Sequence, residues 1–356
     1  GFGLKWKSGD TRPAEAKQTT KFINHLKPKT TMTYLENSKQ YTGSDLENIF
    51  FRPMLTGESA QDLGVRVLYN MPQPTHVQLW DGQRNILQKF TSAGWAGGKA
   101  ATKYEKTVNL NRVKAELGFS AANYFSMVYE KVSSLVNTHM DDLSGTELEQ
   151  AETALFKQAL AENIRVTMWI GDTSAASGYN TFDGLLKRIN GLVDDDGVYN
   201  FSYQAAALED PAYAVELFDK LWAGADPRIP GLKADDRLAY FVSSDIYRLY
   251  EKYLDAKGAD AAYADAMNGR RTLAYHGIPV VDVRLGSYLG ATSFRQSFVM
   301  LTDRRNLVLA VNTADMPGNE VRMWYNPDEM ENRQRAVFMA GTQILDEALI
   351  SFAYKQ

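Results

Sequence analysis

The stretch that most invites a chemical interpretation is Gly97-Gly98-Lys99, because a glycine-rich turn that ends in lysine can bind phosphate. A phosphate-binding loop needs a glycine five positions before Gly98, and Ala93 stands there. It also needs a serine or threonine after the lysine to hold magnesium, and Ala100 occupies that position. We therefore interpret this stretch as the glycine-rich tip of a hairpin.

Neither the acidic turn at Asp194–Asp196 nor the histidines form a metal-binding pattern. A calcium loop built around Gly197 would place Leu192 and Tyr203 at its first and last ligand positions, where oxygen-bearing side chains are required. The chain has no cysteine, which excludes disulfides, thiolate catalysis and cysteine-based zinc sites. The histidines are spread along the chain without zinc spacing, at His25, His76, His139 and His276. No cofactor and no metal are predicted.

The serines and aspartates also lack a catalytic arrangement. No nucleophile elbow of the G-x-S-x-G type is present. Ser243 and Ser244 lie where a strand ends and a helix begins, so helix capping accounts for them. Asp282 and Asp303 are two among 43 acidic residues, and no pattern distinguishes them. A soluble α/β enzyme with an unrecognised site is therefore an alternative without a named catalytic residue.

The composition is that of a globular protein with a basic start. Hydrophobic residues make up 44% and charged residues 23% of the 356 residues, and this length predicts about two domains. No apolar run approaches the roughly 20 residues that span a bilayer. The net charge is −4, but residues 1–30 carry +5 and the remainder −9. The basic residues of this arm are Lys5, Lys7, Arg12, Lys17, Lys21, Lys27 and Lys29. Such an arm either neutralises phosphates or acidic protein surfaces, or is a solvated tail.

Residues 75–118 show the alternation of a long hairpin with one apolar face. Strands are predicted at 75–91 and 104–118, and the sequence shows no partner for them within the chain. We therefore expect the hairpin to project and to pack on a neighbouring subunit. Trp6, Trp80 and Trp95 lie in segments with little core of their own, which is typical of interface anchors.

The strongest helical pattern begins with Ser144 as its cap and runs to about Trp169, where Gly171 ends it. About 25 residues at 1.5 Å each give a helix about 37 Å long, which suits a scaffold spine. A further helix is predicted at 120–137. The apolar stripe of the long helix consists of Leu148, Ala151, Leu155, Phe156, Ala159 and Leu160.

Residues 175–300 show the pattern of a separate α/β unit, and β-rich segments close the chain. The unit has a short helix at Thr181–Ile189, a helix that starts at Pro211 and another that starts at Ser244. Its strands are predicted at Arg237–Val242 and Leu273–Val283, and the closing strands near 297–311, 320–326 and 333–354.

The order of these parts resembles the major capsid proteins of tailed bacteriophages, whose fold is named after phage Hong Kong 97. The order of the matching stretches carries the resemblance, which covers nearly the whole chain. They are Lys106–Leu117, Asn163–Asp172, Thr181–Leu185, Phe241–Tyr247, Gly277–Val281, Asn306–Leu309 and Ala340–Gln343.

The resemblance implies an α+β phage capsid fold in four parts. These are an N-terminal arm at 1–45, an extended hairpin loop with its lead-in at 46–118, a peripheral domain with the spine helix at 119–174 and 297–356, and an axial α/β domain at 175–296. It implies a structural, non-enzymatic protein of the virion that assembles in the host bacterial cytoplasm. Pentamers and hexamers would form an icosahedral shell around the phage genome.

The resemblance also implies partners and alternatives. The partners are other copies of the chain, the portal, possible cement or scaffold proteins, and double-stranded DNA in non-specific contact, with no membrane. Some members join subunits by a Lys–Asn isopeptide bond near a Glu. Lys99 and Lys103 lie near the proposed tip, but no pattern identifies an Asn partner, so cross-linking is not expected. A start at Gly1 is compatible with the maturation cleavage of many members. An encapsulin-type shell around protein cargo is the alternative with the same fold, and the basic arm favours DNA.

Overall fold

The computed structural model describes residues 38–55, 65–69, 75–80, 103–120, 147–258, 273–312 and 319–356. Its strands are β1 Lys39–Tyr41, β2 Arg66–Tyr69, β3 Thr75–Trp80, β4 Lys103–Val108, β5 Asn111–Ser120, β6 Tyr199–Tyr203, β7 Leu238–Val242, β8 Leu273–Tyr275, β9 Ile278–Asp282, β10 Phe298–Asp303, β11 Leu307–Asn312, β12 Glu320–Asn326, β13 Glu331–Ile344 and β14 Ser351–Lys355.

These strands form two six-stranded sheets and one ribbon. Sheet I has the order β1-β12-β13-β11-β2, and β5 also pairs with β13. Sheet II has the order β6-β14-β10-β7-β9-β8, and β3 with β4 forms the ribbon. The long strand β13 organises sheet I, because it pairs antiparallel with β5, β11 and β12.

The described helices surround the two sheets. They are α1 Gly43–Asp45, a π-helical stretch at Leu46–Phe51, α2 Arg52–Leu55, α3 Glu147–Ile170, α4 Leu185–Asp194, α5 Tyr213–Ala223, α6 Ile229–Ala234, α7 Ser244–Ala256 and α8 Gly286–Leu289. Short 3₁₀ turns lie at Ala205–Glu209, Arg304–Asn306 and Glu347–Leu349. Helix α4 begins after the predicted start at Thr181, because Thr181–Gly184 is an extended turn against the end of α3.

Helix α3 is the predicted spine helix and has 24 residues. It ends at Gly171, where a Cβ atom would lie 2.1 Å from the carbonyl oxygen of Phe182, so glycine permits the close approach of the next turn. Phe156 and Leu160 are buried as expected. Leu155, which the stripe predicts to be buried, is only partly buried at the edge of the same core. The predicted cap Ser144 lies outside the described residues.

The expectation that 104–118 is one hairpin strand without a partner in the chain is wrong. Lys103–Val108 pairs with Thr75–Trp80 in the ribbon. Asn111–Ser120 turns away and pairs antiparallel with Glu331–Ala340 of sheet I. The partner strand lies more than 200 residues along the chain, and local alternation carries no information about such a distant pairing.

The strands of the stretch 297–356, which the resemblance assigns to the spine domain, are divided between the two sheets. Strand β10 pairs with β7, and β14 pairs with β10 and β6, so both strands lie in sheet II with the strands of 175–296. Strands β11, β12 and β13 lie in sheet I. The chain changes sheet at two polar 3₁₀ turns, Arg304–Asn306 and Glu347–Leu349, which interrupt the closing strands.

The spine helix joins the two sheets in one core. One cluster contains apolar residues of α3, the inner face of sheet I and one face of sheet II. The Trp169 and Phe241 ring centroids are 5.7 Å apart across the contact between α3 and sheet II. A second cluster packs α5 and α7 on the other face of sheet II and includes Val77 and Val108 of the ribbon. The two predicted domains therefore contribute side chains to the same buried core.

Candidate assembly interface

The ribbon places two of the sequence-predicted interface residues beside each other. Trp80 and Lys103 are Cα partners at the outer end of the β3–β4 pairing. Residues 81–102, which include Trp95 and Lys99, lie between them and outside the described part of the chain. Trp6 and the arm residues Lys5, Lys7, Arg12, Lys17 and Lys21 also lie outside it. The roles predicted for all these residues remain predictions.

The base of the ribbon is fixed to its own subunit. Gln343 Nε2 donates to the Thr107 carbonyl oxygen at 2.9 Å, and Lys106 forms an ion pair with Glu347. A Cβ atom on Gly341 would lie 2.3 Å from the Asn109 carbonyl oxygen, so glycine lets the β4–β5 connection lie directly on β13. The ribbon base is therefore held in a defined position relative to sheet I.

A buried polar contact joins the two turns at which the chain changes sheet. Asn306 is fully buried, and its Nδ2 donates to the Asp346 carbonyl oxygen at 2.7 Å. Its Oδ1 accepts from the Asp346 backbone N–H at 2.6 Å. Arg228 Nη1 donates to Asp346 Oδ2 at 2.7 Å, and hydrogen bonds from Arg228 to Asp226 and Asp346 raise the pKa of Arg228. This contact holds β11 and β14 in their separate sheets.

A second buried polar contact fixes the spine helix to sheet II. Arg165 donates to the Val283 carbonyl oxygen at 2.7 Å and to the Arg284 carbonyl oxygen at 3.2 Å. Its Nη2 also donates to Glu162 Oε1 at 2.7 Å, and this hydrogen bond lowers the pKa of Glu162. The sequence signal for this contact is the position of Arg165, a cation within the otherwise mostly apolar run Ile164–Ile170.

A charged cluster closes the exposed end of the spine. Lys187 Nζ lies 2.8 Å from Asp172 Oδ1 and 2.7 Å from Asp183 Oδ1. Hydrogen bonds from Lys187 and then Ser174 lower the pKa of Asp172 to about 2. The cluster is a solvent-facing ion-pair network, and networks of this kind hold loop geometry more than they supply stability.

The described surface includes an apolar groove of about 530 Å³ between β5, the spine helix and the turn before α4. Its walls include Val113, Ala115, Leu160, Ile164 and Phe182. Its polar helix residues bond to their own helix: Asn163 Nδ2 donates to the Ala159 carbonyl at 2.8 Å, and Thr167 Oγ1 donates to the Asn163 carbonyl at 2.7 Å. Lys114 and Glu116 also line the groove and form an ion pair with each other at 2.9 Å.

The serines and aspartates that sequence analysis considered have local partners. Ser243 donates to Asp245, and Ser244 Oγ donates to Asp282 Oδ1 at 2.8 Å. Asp303 caps the 3₁₀ turn by accepting from the Arg305 backbone N–H at 2.8 Å. Within the described ranges, no three His, Cys, Asp or Glu residues form a metal-binding group. None of the described helices combines the length and apolar character needed to cross a membrane.

Comparisons with known proteins give similarity in structure and none in sequence. No protein-family model matches the chain, and no curated protein matches it. A chain of the satellite phage P4 procapsid, which includes the size determination (Sid) protein, has TM-score 0.52 and 12% identity over 96% of this chain and 98% of that chain. The capsid of a native GTA particle has TM-score 0.43 and 13% identity over 83% and 89% of the two chains. The encapsulin SrpI of Synechococcus elongatus PCC 7942 has TM-score 0.44 and 9% identity over 81% and 84%.

The match to the P4 procapsid chain spans almost the full length of both chains, so the similarity concerns the whole fold. The structural similarity recognised in the order of the sequence segments is thereby confirmed. This chain therefore has a mixed α+β fold similar to that of the satellite phage P4 procapsid chain.

Proposed function

We propose that this chain is the major capsid protein of a tailed bacteriophage, which assembles through pentamers and hexamers into an icosahedral shell around the phage genome. The observation that carries the proposal is the fold shared with the P4 procapsid chain over 96% of this chain. A shell protein needs no catalytic centre, and the described polar clusters are accounted for by contacts between elements.

In this proposal the subunit supplies a body with one core and, beyond the outer end of the ribbon, a segment that reaches a neighbouring subunit. The body consists of the spine helix and the two sheets, which share one core. The described ribbon packs on this body through Val77 and Val108, and its base is fixed by Gln343 and Gly341. Its outer end carries Trp80 and Lys103, and the connecting residues add Trp95 and Lys99. In this proposal the outer end of the ribbon contacts the adjacent subunit. Aromatic anchors at interfaces contribute more binding free energy per residue than most other contacts.

The basic arm is the proposed contact with anionic partners. Seven lysines and arginines among residues 1–30, against two acidic residues, provide a positive segment in a chain of net charge −4. Phosphate neutralisation by such segments does not depend on base sequence and weakens with salt. The proposed partners are therefore packaged DNA and other copies of the chain, together with portal and possible cement or scaffold proteins of the virion.

The test is to purify particles from cells that produce the chain, image them by electron microscopy, and extract their contents after nuclease digestion. Closed shells of uniform size made of this chain, with protected double-stranded DNA in particles from phage-producing cells, are expected. Shells that contain a discrete protein cargo instead of DNA would favour the encapsulin alternative. Soluble chain that forms no particles under any of these conditions would contradict the proposal.

A further inference from the structure

A buried carboxyl group lies where the spine helix meets sheet I. Glu152 on α3 is 0% exposed. Asn332 Nδ2 donates to its Oε1 at 2.6 Å, and Gln334 Nε2 donates to its Oε2 at 3.3 Å. Both amide residues are buried on the inner face of β13. The carboxyl group is therefore sealed from bulk water between two neutral donors.

The two amides remain incompletely paired in this arrangement. Asn332 Oδ1 and Gln334 Oε1 are buried and accept no hydrogen bond, which is unfavourable for a buried acceptor. An ionised carboxylate only accepts hydrogen bonds, so it cannot supply the missing donor. A protonated carboxyl group has an O–H that can donate to Gln334 Oε1 once that amide is turned over, and the 3.3 Å contact is the looser of the two.

The surroundings do not neutralise an ionised Glu152. In the described part of the chain, the charge that acts on Glu152 is that of Glu149, one turn away on the same helix. Tyr41 of β1 donates to Glu149 Oε1 at 3.2 Å, and Lys157 Nζ donates to the Ile49 carbonyl at 2.9 Å. The facing residues of the sheet carry apolar, amide or phenol side chains, namely Leu117, Phe119, Val321, Met323, Tyr325, Asn332 and Gln334, while the charged residues of β13 alternate to the other face, at Glu331, Arg333 and Arg335.

These surroundings set the direction of titration. The pKa of Glu152 is raised from 4.5 to about 7. Burial is the largest cause; the hydrogen bonds from Asn332 and Gln334 act in the opposite direction, and the charge of Glu149 raises the pKa further. A carboxyl group whose pKa is higher in the folded state than in the unfolded state binds its proton more tightly when folded. Its contribution to stability is therefore full below pH 4.5 and is lost as the pH rises to about 7.

We propose that Glu152 is a proton-binding site built into the spine–sheet contact, so that the subunit takes up a proton when α3 packs on β13 and releases it when that contact loosens. The ligand is a proton, and the site is a carboxyl group held between two amides and beside a second carboxylate. Ionisation leaves an uncompensated charge in the contact, so the contact is weakest in alkaline solution. This inference goes beyond the proposed function, because it concerns the folded subunit whether or not shells form.

Infrared difference spectroscopy during a pH titration of the purified full-length chain tests the proposal, because it detects the C=O band of a protonated carboxylic acid. We expect a band that disappears with a midpoint near pH 7 in the wild-type chain and is missing from Glu152→Gln. Gln334→Leu removes a donor to the ionised form and should move the midpoint upward. Glu149→Gln removes a neighbouring negative charge and should move it downward.

Three results would overturn the proposal: no such band in mildly acidic solution, a band that persists in Glu152→Gln, or a midpoint that neither neighbouring variant moves. The two neighbouring variants retain Glu152, so they decide the question even where Glu152→Gln fails to fold.

Discussion

At the scale of single residues, a few buried polar side chains join elements that are distant in sequence. Arg165 joins the spine helix to the end of β9, and Asn306 joins the two turns between the sheets. Both residues lie in stretches that carry the family resemblance, Asn163–Asp172 and Asn306–Leu309, but the sequence assigns no contact to either side chain. Their importance arises from backbone carbonyl and amide groups that only the assembled fold brings into reach.

Removing Arg165 should be strongly destabilising. Arg165→Ala leaves the carbonyls of Val283 and Arg284 without their buried donor, and the expected loss is about 3 kcal/mol in the free energy of unfolding. Urea denaturation of the isolated subunit measures it. Arg248→Ala is the matched control, since Arg248 is exposed on α7, and its effect should stay within about 0.5 kcal/mol. Equal losses in both variants would show that the buried contact has no special role.

At the scale of elements, local sequence patterns predicted the spine helix, the helix after Ser243 and most strands, because periodicity and caps are local properties. They did not predict that β5 pairs with β13, or that β10 and β14 lie in sheet II. Those pairings join residues far apart in the chain, and the 3₁₀ turns that separate them resemble ordinary breaks in a strand. The ribbon was predicted as a hairpin, but the predicted strand at 104–118 was too long for the same reason, because it covers parts of both β4 and β5.

The different burial of two adjacent residues on the spine helix gives a prediction at this scale. Phe156 is 2% exposed, and Phe156→Ala should cost about 3–5 kcal/mol through lost burial and cavity formation. Leu155→Ala should cost clearly less, because Leu155 lies only at the edge of that core. Chemical denaturation of both variants compares them. A larger loss for Leu155→Ala would mean that the helix presents a different face to the sheets.

The glycine below the ribbon gives a second prediction. Gly341→Ala places a methyl group 2.3 Å from the Asn109 carbonyl oxygen, so the ribbon base must shift, at an expected cost of about 1–3 kcal/mol. Gly191→Ala in helix α4 is the control. A Cβ there meets nothing within 4 Å, and alanine should stabilise the helix by about 0.5–1 kcal/mol. Opposite signs in thermal denaturation are expected, and destabilisation by Gly191→Ala would count against this account of the two positions.

At the scale of the whole molecule, the two sheets and the spine helix form a body with a shared core, and we expect this body to fold without a neighbour. The arm and the hairpin tip lie outside the described residues, and their proposed roles rest on sequence and on the fold. Composition alone distinguishes these two segments from the body with the shared core, because the basic arm and the glycine-rich stretch contain few of the apolar residues that a core requires.

Deleting residues 1–30 should separate folding from assembly. We expect the truncated chain to fold with unchanged secondary structure, because the strands described for sheet I all lie at Lys39 or beyond. We expect its particles to form less efficiently or to dissociate at lower temperature, since the positive charge that contacts anionic partners is lost. Circular dichroism and particle sedimentation provide the two measurements. Shells of normal yield and stability would show that the arm is a solvated tail without a role in assembly. Failure of the truncated chain to fold would show that the arm is part of the core.

The most direct test of the central claim is a cryo-electron microscopy reconstruction of particles assembled from the full-length chain. The account predicts an icosahedral shell in which each subunit keeps the two sheets and the spine helix described above. It further predicts that residues 81–102 of one subunit, with Trp95, lie on an adjacent subunit. Particles in which this segment folds back onto its own sheet I, or the absence of any closed shell, would contradict the account.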